Sequence, residues 1–413
     1  MLVITDVNSG EVRAYIPRTE TQFFSGPALF VNSPIASTIT FRRDHDRVEG
    51  FDVKNAQSSK HASRIAVREE SVRFQNGNVT LAGTLLLPER RDTKHRAIVF
   101  THGGGPALRD FFWGLGYLFA ARGVTVLAYD KRGAGESTGN WRTATFEDLA
   151  ADAVAGAKFL QSRADIQPKG IGFWGISQGG WIAPLAAARF PDSAFAIALS
   201  GGGLSPAEQE VFDTEYELTK AGFSPNEVAE ALAFQKLKNE IIQSSEKWDE
   251  YQAARAVAKD KKWFRVPGID VRGPEKRDDP AWANLRRFYL YDPSGALRSL
   301  PCPLLVIFGE LDTPEAVKAN VRAIREIMSA AGKREITANR QPSRTGFLIK
   351  VYPNGRHNLM EVPPDNPDEF VRLKRFVPGL FETILAWVSA SRFGIDDRAA
   401  TATTMAPARA RAI

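Results

Sequence analysis

Apolar and polar positions along the chain fall into successive regimes. From residue 1 to about 60, short runs of β character (Glu11–Ile16, Ala28–Val31, Ser37–Phe41 and Val48–Val53) are separated by turns rich in Gly, Pro and Asn, which predicts a small β module. Ser71–Gln75 and Val79–Leu87 then flank Asn76-Gly77, a strong tight-turn signal, so a hairpin is expected there. Beyond it, apolar runs such as Ala97–Phe100 and Pro303–Phe308, and the strand-like segment Phe347–Tyr352, alternate with helical stretches at Thr145–Ser162, Trp181–Arg189 and Pro314–Ala331. Apolar strands with no polar face are expected of a parallel sheet covered on both sides, so the pattern predicts an α/β architecture. Between Ser205 and about Asp292 the alternation stops and a charged helical segment takes over. Within it, Ser224-Pro-Asn-Glu227 reads as a capping box with Pro at the first helical position. The chain is therefore divided into a β-rich module (1–62), a core in two parts (63–204 and 293–394), a helical cap inserted between them (205–292), and an Ala-, Thr- and Arg-rich tail (395–413) expected to be disordered.

Composition narrows the picture. At 413 residues and 43% hydrophobic, the chain is long enough for an α/β core with accessories. Residues 1–62 are too few for a robust core of their own, so the module is expected to pack on the rest of the chain or on another copy in a homo-oligomer. The net charge of +6 is spread over interspersed Lys, Arg, Asp and Glu without a binding motif, which argues against a nucleic-acid partner. No run of eighteen apolar residues predicts a membrane span. The start, Met1-Leu-Val-Ile-Thr-Asp6, does not read as a signal peptide, which points to the cytoplasm, the alternative being an exported precursor whose beginning is missing. The lone Cys302 is expected to be a small buried side chain, and the five scattered histidines lack metal-ligand spacing, so neither a metal nor a cofactor is expected.

Candidate chemistry centres on Ser177. The run Ile171-Gly-Phe-Trp-Gly-Ile-Ser-Gln-Gly-Gly180 places a serine between a short apolar strand and a helical stretch. A serine on so sharp a turn is lifted clear of the sheet, and flanking glycines remove the side chains that would clash there. Gly-x-Ser-x-Gly alone arises by chance in roughly one chain in ten of this length, so its context must carry the assignment. His357 is the only histidine after Ser177 and follows a strand-like segment and a turn, which makes it the candidate base. Gly309-Glu-Leu-Asp312 directly follows the strand Pro303–Phe308, and Asp312 is the candidate for orienting that histidine, with Glu310 as runner-up and Thr313 expected to cap the next helix. Thr101-His-Gly-Gly-Gly-Pro106 supplies a glycine loop able to aim N–H groups at an oxyanion; the amides of Gly104 and Gln178 are the chosen donors, Gly105 being the alternative to the first. No Gly-Lys-Ser/Thr follows those glycines, which removes a phosphate-binding reading, and a dinucleotide fingerprint after Asp130 fails because its third glycine falls at 139. His102 is read as a loop-organising residue.

His102–Pro106, Tyr129–Ser137 (Tyr-Asp-Lys-Arg-Gly-Ala-Gly-Glu-Ser) and Gly175–Gly180 occur together and in order. In these motifs the chain resembles the α/β hydrolases, more narrowly a bacterial esterase and serine-aminopeptidase-like branch. The resemblance implies an α/β-hydrolase fold, a Ser177–His357–Asp312 triad acting without a cofactor, and a structural role for Asp130 and Arg132 beneath the oxyanion region. Hydrolysis of a small-molecule carboxylic ester through an acyl-enzyme is the expected activity. The alternatives are a serine aminopeptidase or an acyltransferase or thioesterase on the same triad and, more remotely, a non-catalytic binding protein. Trp248, Trp263, Phe264, Trp282, Phe288, Tyr289 and Tyr291 are expected either to wall the substrate site or to stitch the cap to the core. The polar segment 334–346 is expected to border the site from the His357 side.

Overall fold

The computed structural model describes residues 1–28, 31–90, 94–244, 246–266, 269, 271–336, 346–362 and 373–390. The tail and most of the polar segment before the last strand lie outside the described residues.

Six strands form an antiparallel meander at the N-terminal end: β1 (Leu2–Thr5), β2 (Val12–Pro17), β3 (Gln22–Ser25), β4 (Ser37–Asp44), β5 (Arg47–Asn55) and β6 (Ser59–Ser63). The expected strand at Ala28–Val31 is not one of them. Its residues 29 and 30 lie outside the described residues, and of the other two the Val31 N–H donates to the Ala28 carbonyl at 3.2 Å, the pair bridging to each other. The meander packs on the rest of the chain. Val12 and Ala14 bury against Met360 and Leu373, while the Val12 N–H donates to Lys374 O and the Phe376 N–H to Gly10 O.

The hairpin follows as β7 (Val67–Asn76) and β8 (Val79–Pro88), turning at Asn76-Gly77 with Gly77 at φ 58°. It edges a nine-stranded sheet completed by β9 (His95–Thr101), β10 (Val124–Tyr129), β11 (Ile166–Ile176), β12 (Ala196–Leu199), β13 (Leu304–Gly309), β14 (Arg334–Glu335) and β15 (Gly346–Tyr352). The order is β14-β15-β13-β12-β11-β9-β10-β8-β7, parallel throughout except where β8 meets β7 and β10. This is the α/β-hydrolase fold expected from the sequence. Buried side chains form separate apolar clusters above and below the sheet, and β10, β12 and β13 are buried along their whole length, which explains their unbroken apolar runs.

The helices are α1 (Trp113–Ala121), α2 (Phe146–Gln161), α3 (Gln178–Arg189), α4 (Pro206–Lys220), α5 (Pro225–Ser244), α6 (Trp248–Ala258), α7 (Ala281–Tyr289), α8 (Ser294–Ser299), α9 (Pro314–Ala330) and α10 (Leu380–Ala390). In α2, a side chain at Gly156 would meet Leu127 at 2.8 Å, so close packing on the sheet accounts for the glycine inside this helix. The insertion after β12 is helical, as its polarity pattern predicts, and α4 to α7 enclose an apolar cluster of their own around Phe234, Ile242 and Tyr251. Ser224 and Glu227 form the expected reciprocal cap of α5.

Candidate active site

The sheet reverses its winding between β9 and β11: β10 lies on one side of β9, and β11 on the other. Ligands of open α/β sheets bind outside the carboxyl ends of the strands at such a point. The sequence candidates all follow those ends: Gly104 after β9, Ser177 after β11, Asp312 after β13 and His357 after β15.

Ser177 sits at φ 57° and ψ −123°, a strained conformation that aligns it with the first turn of α3. Its N–H donates to Leu199 O at 2.9 Å, and its carbonyl accepts from the Gly180 N–H at 2.7 Å. The glycines beside it are sterically enforced. A Cβ on Gly175 would stand 2.1 Å from Gly179 O and 2.2 Å from Thr101 Oγ1, and one on Gly179 would stand 2.7 Å from Thr101 O. The buried Thr101 hydroxyl is shared between Trp174 O and Gly179 O, tying the end of β9 to both sides of the turn.

His357 Nδ1 lies 2.9 and 3.0 Å from the two oxygens of Asp312. Glu310 makes no such contact, its carboxylate accepting the Asn354 N–H at 3.4 Å. The Ser200 hydroxyl, in a residue also held at positive φ, donates to His357 O at 2.8 Å and fixes the loop that carries the imidazole. Burial works against the charged imidazole, but the Asp312 hydrogen bond and charge, with Asp213 adding to them, raise its pKa above the usual histidine value. Ser177, Asp312 and His357 line one cavity of about 290 Å³. No hydrogen bond joins Ser177 to His357 among the described residues; such contacts are often long in unliganded enzymes.

Gly104 and Gln178 line the same cavity. The loop is held by Lys131, buried beneath it, whose Nζ donates to Gly103 O at 2.9 Å and to Gln178 Oε1 at 2.6 Å. Burial lowers its pKa to about 8. His102 turns away from the cavity, hydrogen-bonding through Nε2 to Tyr129 O with its ring edge-on to Tyr129, and burial lowers its pKa to about 4, which keeps it neutral. Asp130 accepts from Arg109 and from the Glu136 N–H, and Arg132 pairs with Asp152, so both serve the loop after β10.

α4 and the end of α7 close the cavity. Of the seven aromatics, Phe288 and Tyr289 reach it; Trp248, Trp263, Phe264 and Trp282 pack within the cap, and Tyr291 stacks on Phe146 in the core. Two carboxylates that the sequence reading did not single out also line it. Glu210 is matched by the buried Lys238 at 3.1 Å and by the Tyr289 hydroxyl. Among the described residues Asp213 accepts from two neutral donors, Thr313 Oγ1 at 2.8 Å and Gln209 Nε2 at 3.0 Å, and burial pushes its carboxyl pKa up. Thr313 thus does not cap α9 as expected: at φ 50° its hydroxyl points to α4 instead. Their spacing on one helix turn, Gln209-Glu210 and Asp213, is the only local signal that would have found these residues. Among the described residues, no cluster of His, Cys, Asp and Glu suits a metal ion.

The family model described as alpha/beta hydrolase family matches residues 98–373. A polyketide transferase of Penicillium crustosum is 33% identical over 133 residues, which cover 32% of this chain and 43% of that protein. Among solved structures, a hypothetical protein of Pseudomonas aeruginosa is similar at 18% identity and a TM-score of 0.45, over 79% of this chain and 95% of that one. An esterase of Pyrococcus furiosus matches at 16% identity and a TM-score of 0.41, over 70% and 84% respectively. An acylaminoacyl peptidase of Pyrococcus horikoshii matches at 15% and 0.43, over 86% of this chain and 50% of that one. With two thirds of its length under one family model and the strand order and crossovers described above, the chain belongs to the alpha/beta hydrolase family.

Proposed function

We propose that this chain is a serine hydrolase that cleaves small carboxylic esters through an acyl-enzyme. In this reading residues 63–204 and 293–394 carry the chemistry, 205–292 form the cap and 1–62 an accessory module. Ser177 Oγ attacks the carbonyl carbon while His357 takes its proton. Asp312 holds the imidazole tautomer and stabilises its charged form, and the amides of Gly104 and Gln178 receive the oxyanion. The protonated His357 then returns the proton to the leaving alcohol. Water, deprotonated by the same histidine, releases the acid and regenerates Ser177. The observation that carries the reading is the meeting of Ser177 with the His357–Asp312 pair at one small cavity, the pair's hydrogen bonds being 2.9 and 3.0 Å. A fluorophosphonate probe should label Ser177 in the folded protein, and p-nitrophenyl esters should turn over. Failure of labelling on folded protein removes the enzyme reading altogether.

A second reading, a serine aminopeptidase, is favoured by one observation: among the described residues the Asp213 carboxylate lines the cavity hydrogen-bonded to Gln209 and Thr313 and not to a lysine or arginine, where it would meet the amine of a chain terminus. Aminoacyl-naphthylamides against p-nitrophenyl esters separate the two. Fast amide cleavage with negligible ester turnover, lost in Asp213→Asn, would select the peptidase.

A further inference from the structure

A second cavity, of about 500 Å³, shares no lining residue with the catalytic one. It lies between α1 and α10, against side chains of β11 and β12, and the N-terminal sheet walls it through β1. Three of its residues, Ile176, Leu199 and Asn358, each adjoin in sequence a residue of the catalytic cavity, so one thickness of backbone divides the two spaces.

Native interiors hold few voids larger than a water molecule, so a space of this size is more than packing slack. Its lining is apolar except for Thr5, Tyr117, Asn358 and the indole N–H of Trp174. Two of these already have partners: Tyr117 Oη donates to Glu69 at 2.6 Å, and Asn358 Oδ1 accepts the Met360 N–H at 3.1 Å. What remains for a ligand is mostly hydrocarbon surface, with the Glu69 carboxylate beside one wall disfavouring an anion. Large apolar side chains stand exposed along the lining where it meets solvent: Phe111 at 74%, Val3 at 51% and Ile65 at 45%. Exposed apolar side chains gathered at one opening mark an interaction site more often than chance. Gly114 in α1 adds room, since a Cβ there would meet nothing within 4 Å.

We propose that this chamber is a binding site for an uncharged hydrocarbon chain, of the kind carried by a fatty alcohol or a neutral lipid ester, held between the N-terminal sheet and helices α1 and α10. The site is independent of the triad and would stand if Ser177 proved inert.

Calorimetric titration of the full chain with 1-hexanol, 1-octanol and 1-decanol tests it. Burial of each added methylene should tighten binding about three- to fourfold, with a negative heat-capacity change. Gly114→Phe, which fills the chamber from an unobstructed position, should weaken 1-decanol binding at least about tenfold while keeping its thermal transition. Should that variant not fold, Ala121→Phe and Val3→Asp act on the same space from other walls and should weaken binding likewise. Absence of 1-decanol binding, affinity independent of chain length, or undiminished binding in a folded chamber variant would each overturn the proposal.

Discussion

The two halves of the candidate cavity are built by different rules. On the sheet side, each candidate residue sits just past a strand and is held by the strand ends and their loops: Ser177 by its positive φ and two main-chain hydrogen bonds, His357 by the Asp312 carboxylate and the Ser200 hydroxyl. Substitution at Gly175 or Gly179 would drive a Cβ into main-chain atoms. On the cap side, the lining comes from one face of α4 and the last turn of α7, and its members answer to helix packing and to each other, as in the Glu210–Lys238–Tyr289 cluster. The rigid half suits chemistry that tolerates little displacement; the packed-on half suits selection among substrates, which a family can vary without disturbing the strands.

If that division holds, the largest losses come from the sheet side. Ser177→Ala should lower ester kcat on the order of a millionfold with the fold unchanged, as read by single-turnover assay and circular dichroism. Asp312→Asn should cost about ten-thousandfold, since an asparagine no longer stabilises the imidazolium or selects its tautomer. Glu310→Gln should leave turnover within a few-fold. The reverse outcome, with Asp312→Asn active and Glu310→Gln inert, would move the acid to Glu310 and break the geometric argument. His102→Ala belongs with stability: losing its bond to Tyr129 O and its packing on the ring should lower the unfolding temperature more than it lowers kcat in the protein that remains folded.

The same division explains how much was readable in the sequence. Ser177, Asp312, His357 and the glycine loop were legible because strand-end chemistry is local: a buried run, a forced glycine and a polar residue within a few positions. The hairpin at Asn76-Gly77 and the capping box at Ser224 were legible for the same reason. Asp213 was not, because its position in the cavity depends on how α4 crosses the strand ends, which no short motif encodes. Thr313 misled because a threonine before proline ordinarily caps a helix, whereas here a tertiary hydrogen bond to Asp213 takes its hydroxyl. At Ala28–Val31 the apolar character was read as strand, but Ala28 and Val31 bridge to each other and not to a neighbouring strand.

Lys131 tests the boundary between the halves, since it does not itself line the cavity yet fastens the glycine loop to Gln178, the first residue of α3. Lys131→Met keeps the stem and removes both hydrogen bonds. It should lower kcat about ten- to a hundredfold, less than the loss of a direct oxyanion donor, with KM little changed. Because burial lowers the folded-state pKa to about 8, the charged form costs stability below that pH. The cost is relieved as pH rises from about 8 towards the unfolded value, so wild-type stability should gain over that window relative to Lys131→Met. A flat difference between the two would place the ammonium in better-solvated surroundings than its burial indicates.

The smallest effect, and the sharpest for the comparison, is expected at Asp213. Protonated His357 cannot act as a base, so kcat/KM should fall on the acid side through the pKa of that histidine, which lies above its ordinary 6.5. Burial opposes this rise, the Asp312 bond and charge dominate it, and the Asp213 charge adds a part. Asp213→Asn removes only that part. The acid limb should therefore move to lower pH by a fraction of a unit, with turnover above the limb altered no more than a few-fold. The stability carried by the charged His357, fully present below the unfolded pKa and lost as pH rises through the folded one, should vanish at a correspondingly lower pH. A limb that stays in place would make Asp213 a cap-packing residue with no electrostatic reach to the imidazole. A ten-thousandfold loss would erase the distinction between the halves, because the cap would then supply chemistry as well as selection.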